Sequence, residues 1–526
     1  MRVLIFHGYL LAGTGSNVYN AKLAQALVRA GHEVHLVCQE RHPERLTFVD
    51  AVGGWTAAEL QVRKLREPIR CTVYRPDVGP ILPVYVADRY EGIEARPFQD
   101  CSDEELALYR DRNLAAVRDV VQRAAPEAAL ANHLVMGPQI LARALAGSGV
   151  PYAVKVHGSA LEYTVKPYPE RFLPVAREGL AQARAVLVGS RHTAESLWRA
   201  MSDPALPERT RLGPPGVDIG EFVPREPERA AAGLLSLAKR LGASPSSPSP
   251  GSPADADAFA RDVRAAAAAI ESLDPARDRL VAFVGKLIVS KGVDLLLAAW
   301  PLVLARVPEA RLVVIGFGAY ARTLTDLRDA LARGDLAGVR EIAEQGRAPE
   351  GGPPGRLRYL LAFLDALGGS ELEGYRKAAA SLRERAVLVG RLEHGELADL
   401  LPACEAEVVP STFPEAFGMV AVEAAACGAL PVSTEHSGLA EVTRVLAASV
   451  PPEAAPLLSF PLDDGAVPAI AGRVTAWLQA PEQLRQSTRQ ALVATTRERF
   501  SWDGVAGGVL AAAQGRLDAL ARPLPG

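Results

Sequence analysis

Residues 408–442 read VVPSTFPEAFGMVAVEAAACGALPVSTEHSGLAEV. The stretch opens on a short apolar strand, residues 407–409, which stops at Pro410. A polar loop over 411–415 leads into a helix predicted over about 417–427. Gly428 and Pro431 end it, as is usual behind a helix C-terminus. That helix is built almost entirely from Ala, Val and Met, and a helix apolar on every side is a buried one. It nevertheless carries one carboxylate, Glu423, and a buried charge is costly unless something pairs with it. Glu415 stands eight positions earlier, at the mouth of the same helix. Two readings fit. In the first, Glu415 is placed by the helix dipole and Glu423 meets a buried Arg. In the second, both carboxylates face a ligand rich in hydroxyls, and the helix N-terminus offers backbone N–H groups to an anion.

The segment resembles the donor-sugar motif of retaining glycosyltransferases of family 4 (glycosyl transferases group 1). That motif has two glutamates with seven residues between them, then an E-A-x-A-x-G-x-P-V run. Here the run is Glu423, Ala424, Ala426, Gly428, Pro431 and Val432, with one extra residue before the proline. Residues 437–441, SGLAE, resemble the family's G-G-x-x-E turn with Ser437 in place of the first Gly. The resemblance implies an α/β chain of the GT-B class, two doubly wound Rossmann-like domains facing across a cleft.

Composition sets the outer bounds. At 526 residues the chain exceeds one core. Its 49% apolar and 23% charged residues describe an ordinary globular protein, and a net charge of −3 gives no reason to expect nucleic acid. No apolar run approaches the roughly 20 residues that span a bilayer, and MRVLIF is too short for a signal peptide. Five scattered cysteines without metal-type spacing suggest reduced thiols in a cytoplasmic protein.

Along the chain, residues 2–7 (RVLIFH) predict a buried parallel strand, followed by a Gly-containing loop, a helix over about 17–30 and a strand over 33–37. The loop holds Gly13, Gly15, Ser16 and Asn17. As a dinucleotide fingerprint it fails, because Val18 stands where the third Gly belongs and the first Gly lies several residues past the strand. Plain turn glycines remain the alternative. Strands predicted over 128–134 and 152–156 end in Asn132-His133 and His157, at the carboxyl ends where open parallel sheets bind ligands. A histidine there is otherwise often structural. Arg63, Lys64, Arg66, Arg70 and Arg75 form a basic run, read as a solvated face, an acceptor-phosphate site or a contact with an anionic membrane. The second domain opens at 279. Its first strand ends in Gly285-Lys286, and Lys291-Gly292 lead a helix whose N-terminus, with two lysines, suits a pyrophosphate. The next strand ends in Gly316-Phe317-Gly318, and a later one, 386–389, in Gly390-Arg391-Leu392.

The resemblance then implies roles. Lys286 and Lys291 would hold the diphosphate, although the family more often has Arg at the first position, whose bidentate fork Lys286 lacks. Glu423 would take the ribose hydroxyls and Glu415 the donor-sugar hydroxyls. Gly285, Gly316, Arg391, Leu392, Phe417 and Gly418 complete the donor side. Gly15 would approach the phosphate and His157 the sugar at the reaction centre; Ser16, Asn17 and His133 are acceptor-side candidates. The catalytic set is therefore His157, Glu415, Lys286 and Lys291.

The expected domains are 1–218 with a returning C-terminal helix at about 502–526, and 219–501. The latter carries a low-complexity insertion at about 225–278, its Pro/Ser tract 244–257 disordered. A second insertion at about 319–385 reads as two helical parts around a Gly/Pro patch. The implied activity is metal-independent transfer, with retention, from a nucleotide diphosphate sugar to an acceptor hydroxyl. UDP-glucose or UDP-N-acetylglucosamine is the expected donor, serving as co-substrate with no cofactor. The acceptor would be a small molecule, lipid or glycan, and peripheral membrane contact is among the expectations. A catalytically silent GT-B binding subunit and a nicotinamide oxidoreductase are the alternatives.

Overall fold

The computed structural model describes all residues except 13–14, 57–58, 86–93, 244–260, 352–354 and 524–526. The chain divides into two compact units, Met1–Gly216 with Phe500–Gly526, and Val217–Arg499.

The first unit is built on a sheet in the order Thr210–Leu212, Ala185–Val188, Tyr152–Val156, Ala128–Asn132, Arg2–Phe6, Glu33–Val37, Cys71–Tyr74, Ala51–Thr56 and Glu59–Lys64. All neighbours pair in parallel except the hairpin Ala51–Thr56/Glu59–Lys64. Side chains alternate between the faces of a strand, so both faces of this sheet can be covered only if nearly every residue is apolar. Val3, Leu4, Ile5 and Phe6 meet that condition, each at most 1% exposed. Leu4 and Phe6 pack with Tyr109, Val117 and Val120 of the helix Asp103–Ala124. Val3 and Ile5 pack with Leu23 and Leu27 of the helix Gly15–Arg29, and with Trp502 and Val509 of Trp502–Ala513. The last helix of the chain thus completes the first core. Glu59–Lys64 is the sheet edge, where charged side chains discourage pairing with another chain. Arg63 and Lys64 of the basic run lie on this edge, while Arg70 and Arg75 flank Cys71–Tyr74. Lys64 pairs with Glu67, and Arg66 comes within 3.8 Å of Asp50.

The second unit has a six-stranded parallel sheet in the order Ala386–Gly390, Ala310–Ile315, Arg279–Val284, Ala406–Val409, Leu430–Thr434 and Ser459–Phe460. Three expectations need correction. The apolar helix runs over Met419–Ala426, so Phe417 and Gly418 belong to the loop; Gly418 sits at φ 139°, outside the helical region. The stretch 225–278 is not uniformly low in complexity. Its flanks are helices, Pro227–Ala243 and Val263–Glu271, because Leu234, Leu237 and Leu241 recur at helical spacing and are buried along with Ala266 and Ile270. The Pro/Ser tract between them lies outside the described residues. Among the described residues, the stretch 319–385 holds five α-helices where two helical parts were expected, Ala321–Ala332, Leu336–Gln345, Arg358–Ala366, Gly369–Ala379 and Leu382–Arg385.

Candidate functional site

Every strand of a parallel sheet ends on the same edge. In the second unit that rule gathers the residues after Val284, Ile315, Gly390 and Val409, namely Lys286, Gly316, Arg391 and the loop 410–418. Two glycines are required for the approach. A Cβ on Gly316 would stand 1.9 Å from the Gly285 carbonyl oxygen, and one on Gly292, whose φ is 68°, would stand 1.9 Å from that of Pro410. The lysine-bearing loop is stitched on both sides, with the Leu287 N–H donating to the Phe317 carbonyl at 2.7 Å and the Thr412 N–H to that of Ser290 at 2.9 Å.

Lys291 and Glu415 meet directly. The Lys291 ammonium donates to Glu415 Oε1, which also accepts from Ser411 Oγ at 2.7 Å. The Glu415 N–H donates to Ser437 Oγ at 2.9 Å, and its carbonyl accepts from the Gly438 N–H at 2.9 Å. Ser437, which replaces a glycine of the resembled turn, is in the left-handed region at φ 53°, strained for a residue with a Cβ. That strain accompanies the bond to Glu415 and a 2.9 Å contact with His436 Nδ1. Burial pushes the Glu415 carboxyl up, but the Lys291 charge and hydrogen bond, aided by Ser411 and His436, outweigh it and hold the group below the usual carboxylate range. Glu415 is therefore ionised near neutral pH.

Glu423 is 3% exposed, and its partner is a histidine where the bland reading expected an arginine. His394 Nε2 lies 2.7 Å from Glu423 Oε1, and the imidazole rests against the Phe222 ring with centroids 4.9 Å apart. The sequence reading missed His394, which stands three residues past Arg391 at the same sheet edge. Leu392 is buried, and the Arg391 guanidinium lies 5.4 Å from the Phe317 ring centroid and 2.9 Å from Glu393. Below them, the buried strand holds Glu407, wholly inaccessible to solvent, with no hydrogen-bond partner among the described residues for either carboxylate oxygen. Burial, then the neighbouring Glu423 charge, raises its carboxyl well above the ordinary range, so it is held protonated. A glutamate inside an otherwise apolar strand was the signal, and the reading passed over it.

The first unit assembles its own cluster at the carboxyl edge. His157 Nε2 lies 2.8 Å from Asn132 Oδ1, Asn132 Nδ2 donates to Asn20 Oδ1 at 2.7 Å, and Asn20 Nδ2 to His7 Nδ1 at 3.0 Å. His7 Nε2 then lies 3.0 Å from Asn17 Oδ1. Each amide donates in one direction along this chain, which places a proton on Nε2 of both histidines. The network thereby ties His157 to Asn17, while Ser16 offers its carbonyl to Asn20 at 2.9 Å. Gly15 is the exposed first residue of its helix; Gly13 lies outside the described residues. His133 is 2% exposed at φ 68°, with both ring nitrogens lacking a hydrogen-bond partner among the described residues. Its ring is packed by Tyr85, His157, Tyr9 and His7, with centroids 4.7–5.6 Å away. Lys155, also unpredicted, is 2% exposed and donates to the Gly213 carbonyl at 2.6 Å; burial lowers its ammonium to about 7.

Burial depresses all three imidazoles. His7 falls to about 4, and His133 and His157 fall well below 6.5, the latter two pushed further by neighbouring positive charge. Unfolded imidazoles take up protons near pH 6.5 and these folded ones do not. Stability is therefore present above pH 6.5 and is lost as pH falls toward 4, by about 3 kcal/mol for His7 alone. In calorimetry from pH 7 to 5 the first unit's transition should drop by several degrees, and His7→Asn should flatten that slope. A wild-type transition that holds steady across this range refutes the depression.

Among the described residues no group of three or more His, Cys, Asp and Glu side chains is arranged to hold a metal ion, and no helix is long and apolar enough to cross a membrane.

Two family models match the chain, a glycosyl transferase 4-like domain over 14–216 and a glycosyl transferases group 1 domain over 362–453. A D-inositol 3-phosphate glycosyltransferase of Segniliparus rotundus is 26% identical over 59% of this chain. The match spans 48% of that relative's length. A protein of the same name from Xylanimonas cellulosilytica is 25% identical over 94% of this chain and 90% of its own length. Among solved structures, a sucrose-phosphate synthase from Thermosynechococcus elongatus covers 99% of this chain and 100% of its own, with a TM-score of 0.58 at 18% identity. Anabaena HepE, in complex with UDP-glucose, covers 97% and 99% with a TM-score of 0.54 at 14% identity. At such identities these neighbours establish the fold, which is GT-B.

Proposed function

We propose, for a chain that belongs to the glycosyltransferases of GT-B fold, with a 4-like domain followed by a group 1 domain, that it transfers a sugar from a nucleotide diphosphate donor to an acceptor hydroxyl. The reading includes retention at the anomeric carbon and independence of metal. The observation that carries it is the Lys291–Glu415 pair, held by Ser411 and Ser437 on the same sheet edge as Lys286. Lys286 and Lys291, with the N-terminus of the helix Val293–Leu304, would stabilise charge on the departing diphosphate. Glu415 would accept donor-sugar hydroxyls, and Glu423, shared with His394, the ribose hydroxyls. Gly285, Gly316, Arg391, Leu392, Phe417 and Gly418 would line the nucleotide and sugar. In the first unit Gly15 would approach the phosphate and the neutral imidazole of His157 the sugar, with Ser16, Asn17 and His133 toward the acceptor.

UDP-glucose, the ligand named with HepE, and UDP-N-acetylglucosamine are the donors of choice. D-inositol 3-phosphate is the first acceptor to test, since both relatives described above are named for it. We place the protein in the cytoplasm, and the basic edge Arg63–Lys64 is the candidate contact with an anionic membrane or acceptor phosphate.

A bound donor at 100 times its Kd stabilises a fold by about 2.7 kcal/mol, enough to shift Tm. The expected result is a raised Tm and a calorimetric signal with one of the two UDP-sugars, none with NADH, and transfer that survives EDTA. Loss of transfer that Mn²⁺ restores would contradict the metal-free reading. A donor bound but neither transferred nor hydrolysed would make the chain a binding subunit, and NADH binding alone would replace the reading.

A further inference from the structure

We infer that Glu350, between the helices Leu336–Gln345 and Arg358–Ala366, is a positioning residue for the lysine-bearing donor loop, holding the turn Val289–Lys291 in place through the backbone of Val289. The inference rests on the donor reading above and gives the 319–385 segment a task.

The Val289 N–H opens a short 3-10 turn, and the leading amides of any helical turn lack an internal partner. Here the Glu350 carboxylate accepts that N–H. The Glu350 side chain is 10% exposed, and Arg347 Nε lies 3.3 Å from its other oxygen. The turn is held from a second direction by Thr412, whose N–H reaches the Ser290 carbonyl at 2.9 Å and whose Oγ1 reaches that of Val289 at 3.3 Å. Lys291 ends the turn and points its ammonium to Glu415. The loop is thus gripped between the 410–418 loop and Glu350, so a shift at Val289 moves the cation that the donor would meet.

Glu350 can serve as an anchor because the segment bearing it is itself fastened. Its own N–H closes on the Arg347 carbonyl at 2.9 Å, and the Arg347 N–H on that of Gly355 at 3.0 Å. The Leu357 N–H donates to the Ala343 carbonyl at 2.8 Å, joining the two flanking helices. Further along, the Tyr375 hydroxyl donates at 2.9 Å to the Ala298 carbonyl of the helix that the lysine loop leads into. Besides Arg347, the buried Asp294 and Tyr320 are within electrostatic reach of Glu350. A hydrogen bond to a charged group is worth roughly tenfold or more in an equilibrium constant.

The test uses the full chain, with UDP titrated by calorimetry and the UDP-sugar that binds assayed for turnover. Glu350→Ala should raise the Kd for UDP about tenfold, lower kcat with the donor by a similar factor, because Lys291 also meets the departing diphosphate, and keep Tm within a few degrees. Glu350→Gln, which retains an acceptor for the Val289 N–H, should restore both to within about threefold. Lys291→Ala is the companion variant. If it weakens UDP tenfold or more while Glu350→Ala leaves UDP binding unchanged or tighter, the positioning role falls and the donor reading stands. If the wild type ignores UDP, or Lys291→Ala binds it as well as wild type, the donor reading falls and takes this inference with it. Equal losses in Glu350→Ala and Glu350→Gln, or an Ala variant that no longer folds, also overturn it.

Discussion

Glu415→Ala should lower turnover at saturating donor by about 100-fold or more, with little change in Tm. The size of the effect follows from two consequences of one deletion. Under the proposed function the substitution removes the acceptor for the donor-sugar hydroxyls, and the loss of one preorganised contact at a reacting centre commonly costs roughly 100- to 1,000-fold in kcat. It also releases Lys291, whose ammonium is otherwise fixed by that carboxylate, so the cation meant for the leaving diphosphate loses its orientation. The fold should tolerate the change, because Glu415 is half-buried with a side chain 24% exposed, and its backbone bonds to Ser437 and Gly438 do not need the carboxylate. Glu415→Gln should recover part of the loss by restoring a hydroxyl acceptor without the charge. The check is steady-state transfer with the donor identified by binding. Turnover of Glu415→Ala within a few-fold of wild type would remove Glu415, and the motif reading with it, from the site.

Glu407→Leu should stabilise the second unit, and increasingly so as pH rises. Glu407 is buried in the strand Ala406–Val409 with neither oxygen bonded, a state that costs about 1–3 kcal/mol even for a neutral polar group. Titration adds to this. In the unfolded chain the carboxyl releases its proton near pH 4.5, while burial and the Glu423 charge keep it protonated in the folded chain to well above that. The folded state therefore binds the extra proton, so the contribution is complete below pH 4.5 and is lost as pH climbs toward the raised value. Leucine has no proton to hold and fills a similar volume in the buried strand. The expected gain is about 1–3 kcal/mol near pH 5 and grows toward pH 8, a rise of several degrees in Tm for a unit of this size. A variant whose Tm at pH 8 equals or falls below wild type, or whose pH slope is unchanged, would show that Glu407 is satisfied in a way the structure lacks.

Much of the architecture could be read from residue order. The strands Glu33–Val37 and Tyr152–Val156 coincide with their mainly apolar runs, because a strand covered on both faces is apolar at most positions, with His35 and Lys155 as buried exceptions. The helix Met419–Ala426 was legible from its composition, though its start was not. Gly418 closes the loop at φ 139°, and a Cβ there would stand 2.6 Å from Leu439 Cδ2. The flanks of the Pro/Ser tract were misjudged, because low complexity in the middle hid a helical stripe on either side.

By itself the sequence determined where polar residues interrupt apolar elements: Glu423 within a greasy helix, His157 and Asn132 at strand ends, Lys286 and Lys291 before a helix. Only the tertiary structure decided what each of them touches. Glu415 met Lys291 from 124 positions away, Asn132 met Asn20 from 112, and Glu423 met His394 from 29. Helical and strand periodicities report which face of an element is buried, since that is fixed by backbone geometry over a few residues. Which strand lies beside which is set by the packing of whole sheets and helices, so these pairings, and Glu407 with none, became visible only once the strands were in order.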